Sequence, residues 1–216
     1  MKEKYSSQIF RCDGQNVFME VLNSSFSIGK IGFNFCEYDD QTNKMLKKLP
    51  IYIDINKCLV FANDVLNGNF EAKVKNAKET KTYNGQPVNS YTSYFIDMGG
   101  IHEDKVKQKF TDYQQQYPFV KEDMAISRQF KVQAGMKMPW ILRAEYGLGK
   151  SNQTGLIVPN GMASLYINIP MTDDSLKEMA IAIKTHYEAY LNQYYNKFNK
   201  ELFPSDKVNI FKPTSR

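Results

Sequence analysis

The stretch LYINIPMTDDSLKEMAIAI, residues 165–183, decides the fold. Leu165, Ile167 and Ile169 alternate with Tyr166 and Asn168, so the three aliphatic side chains share one face of a strand. Pro170 has no N–H to give and ends the ladder. Thr172 is a good N-cap, because its hydroxyl accepts from a free backbone N–H of the first turn. Asp173 and Asp174 follow, where the positive end of the helix dipole favours carboxylates. Met171 and Leu176 have the spacing of a hydrophobic staple. Met179, Ala180, Ile183, Tyr187, Tyr190, Leu191, Tyr194 and Phe198 then recur at three and four. That stripe predicts an amphipathic helix over roughly 173–198.

A similar run stands earlier in the chain, LPIYIDINKCLVFANDVL at 49–66. Leu49, Ile51 and Ile53 alternate with Pro50 and Tyr52. Ile55 takes the staple position before Asn56, the expected cap. Cys58, Leu59, Ala62, Val65 and Leu66 form a shorter stripe, and Gly68 follows where a helix end favours a left-handed residue. Laying Thr172 on Asn56 aligns Ile169 with Ile53 and Ile167 with Ile51. Upstream, FCEYD (35–39) resembles RAEYG (143–147), with loops of unequal length that cost little. The expected fold class is therefore α+β, with two repeated antiparallel ββββα units, their helices packed together and their sheets facing outward. Chance likeness between two strand–helix junctions is the alternative.

At 216 residues the chain buries one good core or two small ones. The expected organisation is a first unit over 1–70, a linker over 71–90, a second unit over 91–203 with an insert near 101–118, and a basic tail over 204–216. Strands are predicted at 17–22, 26–28, 31–38, 93–98, 124–132 and 139–146, with a turn at Asn84-Gly85 and a loop over 147–161. Residues 1–9 read as a frayed tail, and the insert as one helix over 103–117. The opening MKEKYSSQIF has no apolar h-region, and no apolar run is long enough to span a bilayer. Three cysteines without metal-ligand spacing read as free thiols, so a cytoplasmic setting is expected, with no membrane partner. The net charge of +5 permits a polyanion partner without demanding one.

Catalytic signals are poor. GLGKS (147–151) has one residue between its glycines, where a phosphate loop needs four and then a helix. His102 and His186 lie far from any nucleophile motif, and no His/Cys cluster suits zinc. Glu37 and Glu145 read as salt-bridge or solvated strand residues. No enzyme, cofactor or metal is expected. A basic and aromatic pattern is more informative. SRQFKVQ (127–133) and KMPWILR (137–143) interleave Arg128, Lys131, Lys137 and Arg143 with Phe130 and Trp140. Lys30 and Tyr38 lie near Lys44, Lys47 and Lys48. Cations beside flat rings suit unpaired nucleic acid, phosphates meeting Lys and Arg while bases stack. Alternatively, the rings fill the core and the lysines solvate the sheet. The sequence leaves both open.

The run GKIGFNFCEYDDQTNKMLKKLPIYIDINKCLVFANDVL (29–66), echoed by WILRAEYGLGK and LYINIPMTDDSLKEMAIAI, resembles the whirly fold and its single-unit relatives, the positive-cofactor-four coactivators. What the resemblance implies is sequence-independent binding of single-stranded DNA on a curved sheet, with a helix making the contact of a homodimer or higher homo-oligomer. Its candidates here are Lys30, Tyr38, Lys44, Lys47, Lys48, Arg128, Lys131, Trp140, Arg143 and Lys150. Phe130 joins Trp140 as a candidate stacking ring. RNA binding and a protein adaptor acting through the long helix are the rivals. The wealth of Lys, Asn, Ile and Tyr points to a low-GC Gram-positive source, its phage or a mobile element, where such a protein serves replication or conjugation. The tail SDKVNIFKPTSR is basic, unlike the acidic tails of housekeeping single-strand-binding proteins.

Overall fold

The computed structural model describes residues 7–76, 80–83, 86–89, 93–135 and 137–202. It is a mixed α+β fold with two main antiparallel sheets and five α-helices among those residues. The first sheet holds β1 (Gln8–Asp13), β2 (Val17–Leu22), β3 (Lys30–Tyr38) and β4 (Met45–Asp54) in that order, and α1 (Ile55–Leu66) follows directly. α2 (Asn69–Asn76) and the hairpin β5 (Thr80–Tyr83) with β6 (Gln86–Asn89) occupy the expected linker. The Asn84-Gly85 turn and the 204–216 tail lie outside the described residues. The second sheet runs β7 (Ser93–Ile101), β8 (Ala125–Ala134), β9 (Trp140–Ser151). β10 (Ile157–Pro159) and β11 (Leu165–Met171) both pair with the other edge of β9, and α5 (Asp173–Leu202) follows β11.

Several expectations change. QIFRCD at 8–13 is strand β1, an edge strand that the tail reading missed. Phe26–Ile28 is a 3-10 turn, closed by Gly29 in the left-handed region at φ 68. The insert is two short helices, α3 (Glu103–Gln108) and α4 (Phe110–Gln116), broken at Lys109. α1 begins at Ile55, and its cap lies two residues before the expected one. Asp54 caps it, accepting from Asn56 N at 2.9 Å. Thr172 does cap α5, accepting from Ser175 N at 3.1 Å. Gly68 takes the expected left-handed conformation, at φ 72.

The inner faces of the sheets meet. Phe33 and Phe35 of β3 lie 4.9 and 5.9 Å from Phe130 of β8, ring centre to centre. Tyr146 of β9 donates its hydroxyl to the carbonyl of Pro50 on β4. α1 and α5 lie against each other, and Phe61 of α1 meets Phe95 of β7 at 4.9 Å. Leu176, Met179, Ala180 and Ile183 bury the first half of α5 in the same cluster. One core therefore joins both sheets, and each sheet keeps one face outward. The last turns of α5 leave this core, with Tyr194, Tyr195 and Phe198 about half exposed.

The literal Glu-Tyr match does not share a register. Ile53 pairs with Ile31, and Ile169 pairs with Leu142. Counted from those anchors, Glu37 lies six residues on and Glu145 three. An odd offset puts the two carboxylates on opposite faces of their sheets.

Candidate nucleic-acid interface

Strand alternation sorts the predicted residues. On β8, Ile126, Phe130 and Val132 are buried on the inner face, and Arg128 shares that face. Ser127, Gln129, Lys131 and Gln133 take the outer face. On β9, Trp140, Leu142, Ala144 and Tyr146 point inward, while Arg143 and Glu145 point outward. Register sets Lys131 opposite Arg143 and Arg143 opposite Asn168. The next row is Gln129, Glu145 and Tyr166. Ile96 and Met98 of β7, both exposed, extend these rows.

A charged trio occupies the centre of this face. Lys131 Nζ donates to Glu145 Oε2 at 2.5 Å, and Arg143 Nε donates to Glu145 Oε1. Arg143 Nη1 also donates to Asn168 Oδ1 at 3.1 Å. Its guanidinium lies 4.1 Å over the Tyr166 ring, a cation–π contact. Burial pushes the Glu145 carboxyl up, but the hydrogen bonds and charges of Lys131 and Arg143 outweigh it and hold it below the ordinary range. With all three ionised, the trio carries one net positive charge.

Two adjoining grooves of about 470 and 410 Å³ share Arg143, Glu145 and Tyr166. Ser127, Gln129 and Met162 line the first, Gln133 and Asn168 the second. A third, of about 370 Å³, runs from Tyr166 and Asn168 to Glu37 and Lys47 on the first sheet. Tyr166 borders all three and is half exposed.

The remaining candidates scatter. Phe130 and Trp140 are corrected: both are buried, at 1% and 3% exposure, and offer no face to a base. Trp140 Nε1 donates to Asp173 Oδ1 at 2.6 Å and ties β9 to the start of α5. Arg128 is also corrected. It lies on the inner side, donating to the Gly100 carbonyl at 3.2 Å. Lys30 pairs with Asp54 at 3.7 Å and Lys47 with Glu37 at 2.7 Å. Tyr38 lies 6.1 Å from Phe18 on the first sheet. Lys44, Lys48 and Lys150 are exposed and line none of the three grooves.

GLGKS is not a loop. It finishes β9, and its glycines answer close packing. A Cβ on Gly149 would sit 2.9 Å from Ile157 Cγ2 and from Ser127 N, and one on Gly147 would sit 3.3 Å from the Met162 carbonyl. His102 caps α3, its Nδ1 accepting from Asp104 N at 3.3 Å. Cys12, Cys36 and Cys58 are free, and burial pushes each thiol up, away from the thiolate form. Among the described residues no group of three His, Cys, Asp or Glu could hold a metal ion, and no helix is long and apolar enough to cross a membrane.

Tyr166, Asn168, Gln129 and Gln133 are the residues that the sequence reading missed. The signal was present. Tyr166 and Asn168 alternate with buried aliphatics, which places them outward. The same rule separates Lys131 from its neighbour Phe130. In comparisons with known proteins, the chain matches no family model and no curated protein.

Proposed function

We propose that this chain binds single-stranded nucleic acid, DNA first, with little sequence preference, on the outer face of the second sheet. One observation carries the reading: a half-exposed ring, Tyr166, stands beside Arg143 and Lys131 in grooves lined by amide side chains. A base stacks on the ring, the cations meet phosphate, and Gln129, Gln133 and Asn168 offer both donors and acceptors to any base edge. A duplex hides its base faces and gains little from such a groove. The whirly-like reading belongs to the same proposal. Its support is that strand order β1-β2-β3-β4 runs into α1, and β7-β8-β9-β11 into α5.

A second contact is proposed for the end of α5, with another copy of this chain as its occupant. Tyr187, Tyr190 and Tyr194 stack along one side at 6.0 and 6.2 Å, and Tyr195 and Phe198 lie exposed beyond them.

The first test is fluorescence anisotropy with a labelled mixed-sequence oligonucleotide, single-stranded against duplex, at two salt concentrations. Salt-sensitive binding that favours the single strand is expected. Tyr166→Ala should weaken it by about 1–3 kcal/mol, the scale of one stacked base. No binding at low salt overturns the proposal. RNA of the same sequence, run in parallel, reports whether the 2′-OH matters.

A further inference from the structure

We infer that Glu145 is a built-in competitor for phosphate, occupying Lys131 and Arg143 on the outer face and setting how tightly that face holds a polyanion. The inference rests on the nucleic-acid reading of this face. Both carboxylate oxygens are engaged, Oε2 by Lys131 and Oε1 by Arg143. All three side chains are largely buried, with 19%, 23% and 12% exposure for Lys131, Arg143 and Glu145. A carboxylate held between two cations stands where a phosphate oxyanion would make the same charge-assisted bonds. An incoming phosphate must displace it or settle for the one net charge of the trio.

Glu145 is not needed to place Arg143. Asn168 holds the guanidinium from β11, and the Tyr166 ring lies under it. Removing the carboxylate charge therefore frees an Arg143 that stays near its present position, with Lys131 beside it on the same face. The acidic residue keeps binding reversible and salt-limited, so that a single strand exchanges readily.

The test measures a single-stranded oligonucleotide against wild type, Glu145→Gln, Lys131→Gln and the double variant carrying both. Glu145→Gln adds one effective cation. Affinity should rise about five- to tenfold at about 50 mM salt, and the log–log salt slope should steepen by about 0.7. Lys131→Gln should bind more weakly than wild type. The double variant restores the trio's net charge and should return close to wild-type affinity. It also removes the clash of two unshielded cations, so it reports even where Glu145→Gln alone does not fold. Glu188→Gln, on the exposed side of α5 with the same change in net charge, should leave affinity unchanged. Weaker or equal binding by Glu145→Gln, or a double variant weaker than Lys131→Gln, overturns the inference. Equal gains from Glu188→Gln do so as well, since overall charge would then be the cause. Failure of wild type and every variant to bind overturns the nucleic-acid reading itself.

Discussion

At the residue scale, Glu145 links charge to stability. Its folded-state pKa lies below the ordinary carboxylate value, so its contribution is present above the unfolded value of roughly 4.3 and is lost as pH falls through the depressed one. Urea denaturation of wild type between neutral and acid pH should show stability falling in that window, and Glu145→Gln should flatten the fall. Phe130 and Trp140 act through packing. Phe130→Ala should cost about 3–5 kcal/mol, as for a buried aromatic truncated inside a dense core. Trp140→Phe keeps most of the ring but leaves Asp173 without its indole donor, a loss of about 1–3 kcal/mol. Unfolding midpoints check both, and oligonucleotide affinity per folded molecule should not change for either. The sequence held the information to separate these residues from the site. Neighbours in a strand face opposite ways, so Phe130 and Lys131 could not both look outward. Which way each looked required knowing what lay against the sheet.

At the scale of elements, local signals located most strands and the long helix. Thr172 caps α5, and Val17–Leu22 is a strand at the expected bounds. The misses have physical causes. β1 is an edge strand of mixed polarity, held by pairing with β2, which no local pattern records. Phe26–Ile28 has apolar content but no partner strand, and it closes as a 3-10 turn. β9 continues through GLGKS because β8 pairs with Gly147, Leu148 and Gly149, and β10 folds back to pair with Gly149, Lys150 and Ser151. Capping of α1 is also a matter of two acceptors in competition, and Asp54 prevails over Asn56 because β4 ends there. Asp54→Ala should cost about 1 kcal/mol in thermal or urea unfolding. Beyond Tyr190, which still packs on Phe26, the apolar stripe of α5 outruns the core. If a second copy covers it, Tyr194→Ser with Phe198→Ser should convert a dimer to a monomer in light scattering.

At the scale of the whole molecule, the sheets share one core. Phe33 and Phe35 reach Phe130 across it, and Tyr146 reaches the Pro50 carbonyl. A fragment of residues 1–76 would expose the face that Phe33 and Phe35 occupy. It should lack a cooperative melt by circular dichroism, while the full chain unfolds in one transition. Alternation, capping and stripe length act within a few residues, so the sequence by itself determined the α+β class, most strands and the long helix. Tertiary structure decided the rest: that one face of each sheet is consumed by the other, that Phe130 and Trp140 go inward, and that Lys131, Arg143, Glu145 and Tyr166 meet from three strands. The reason is that burial depends on what lies opposite, and no stretch of chain carries that record of its distant partner.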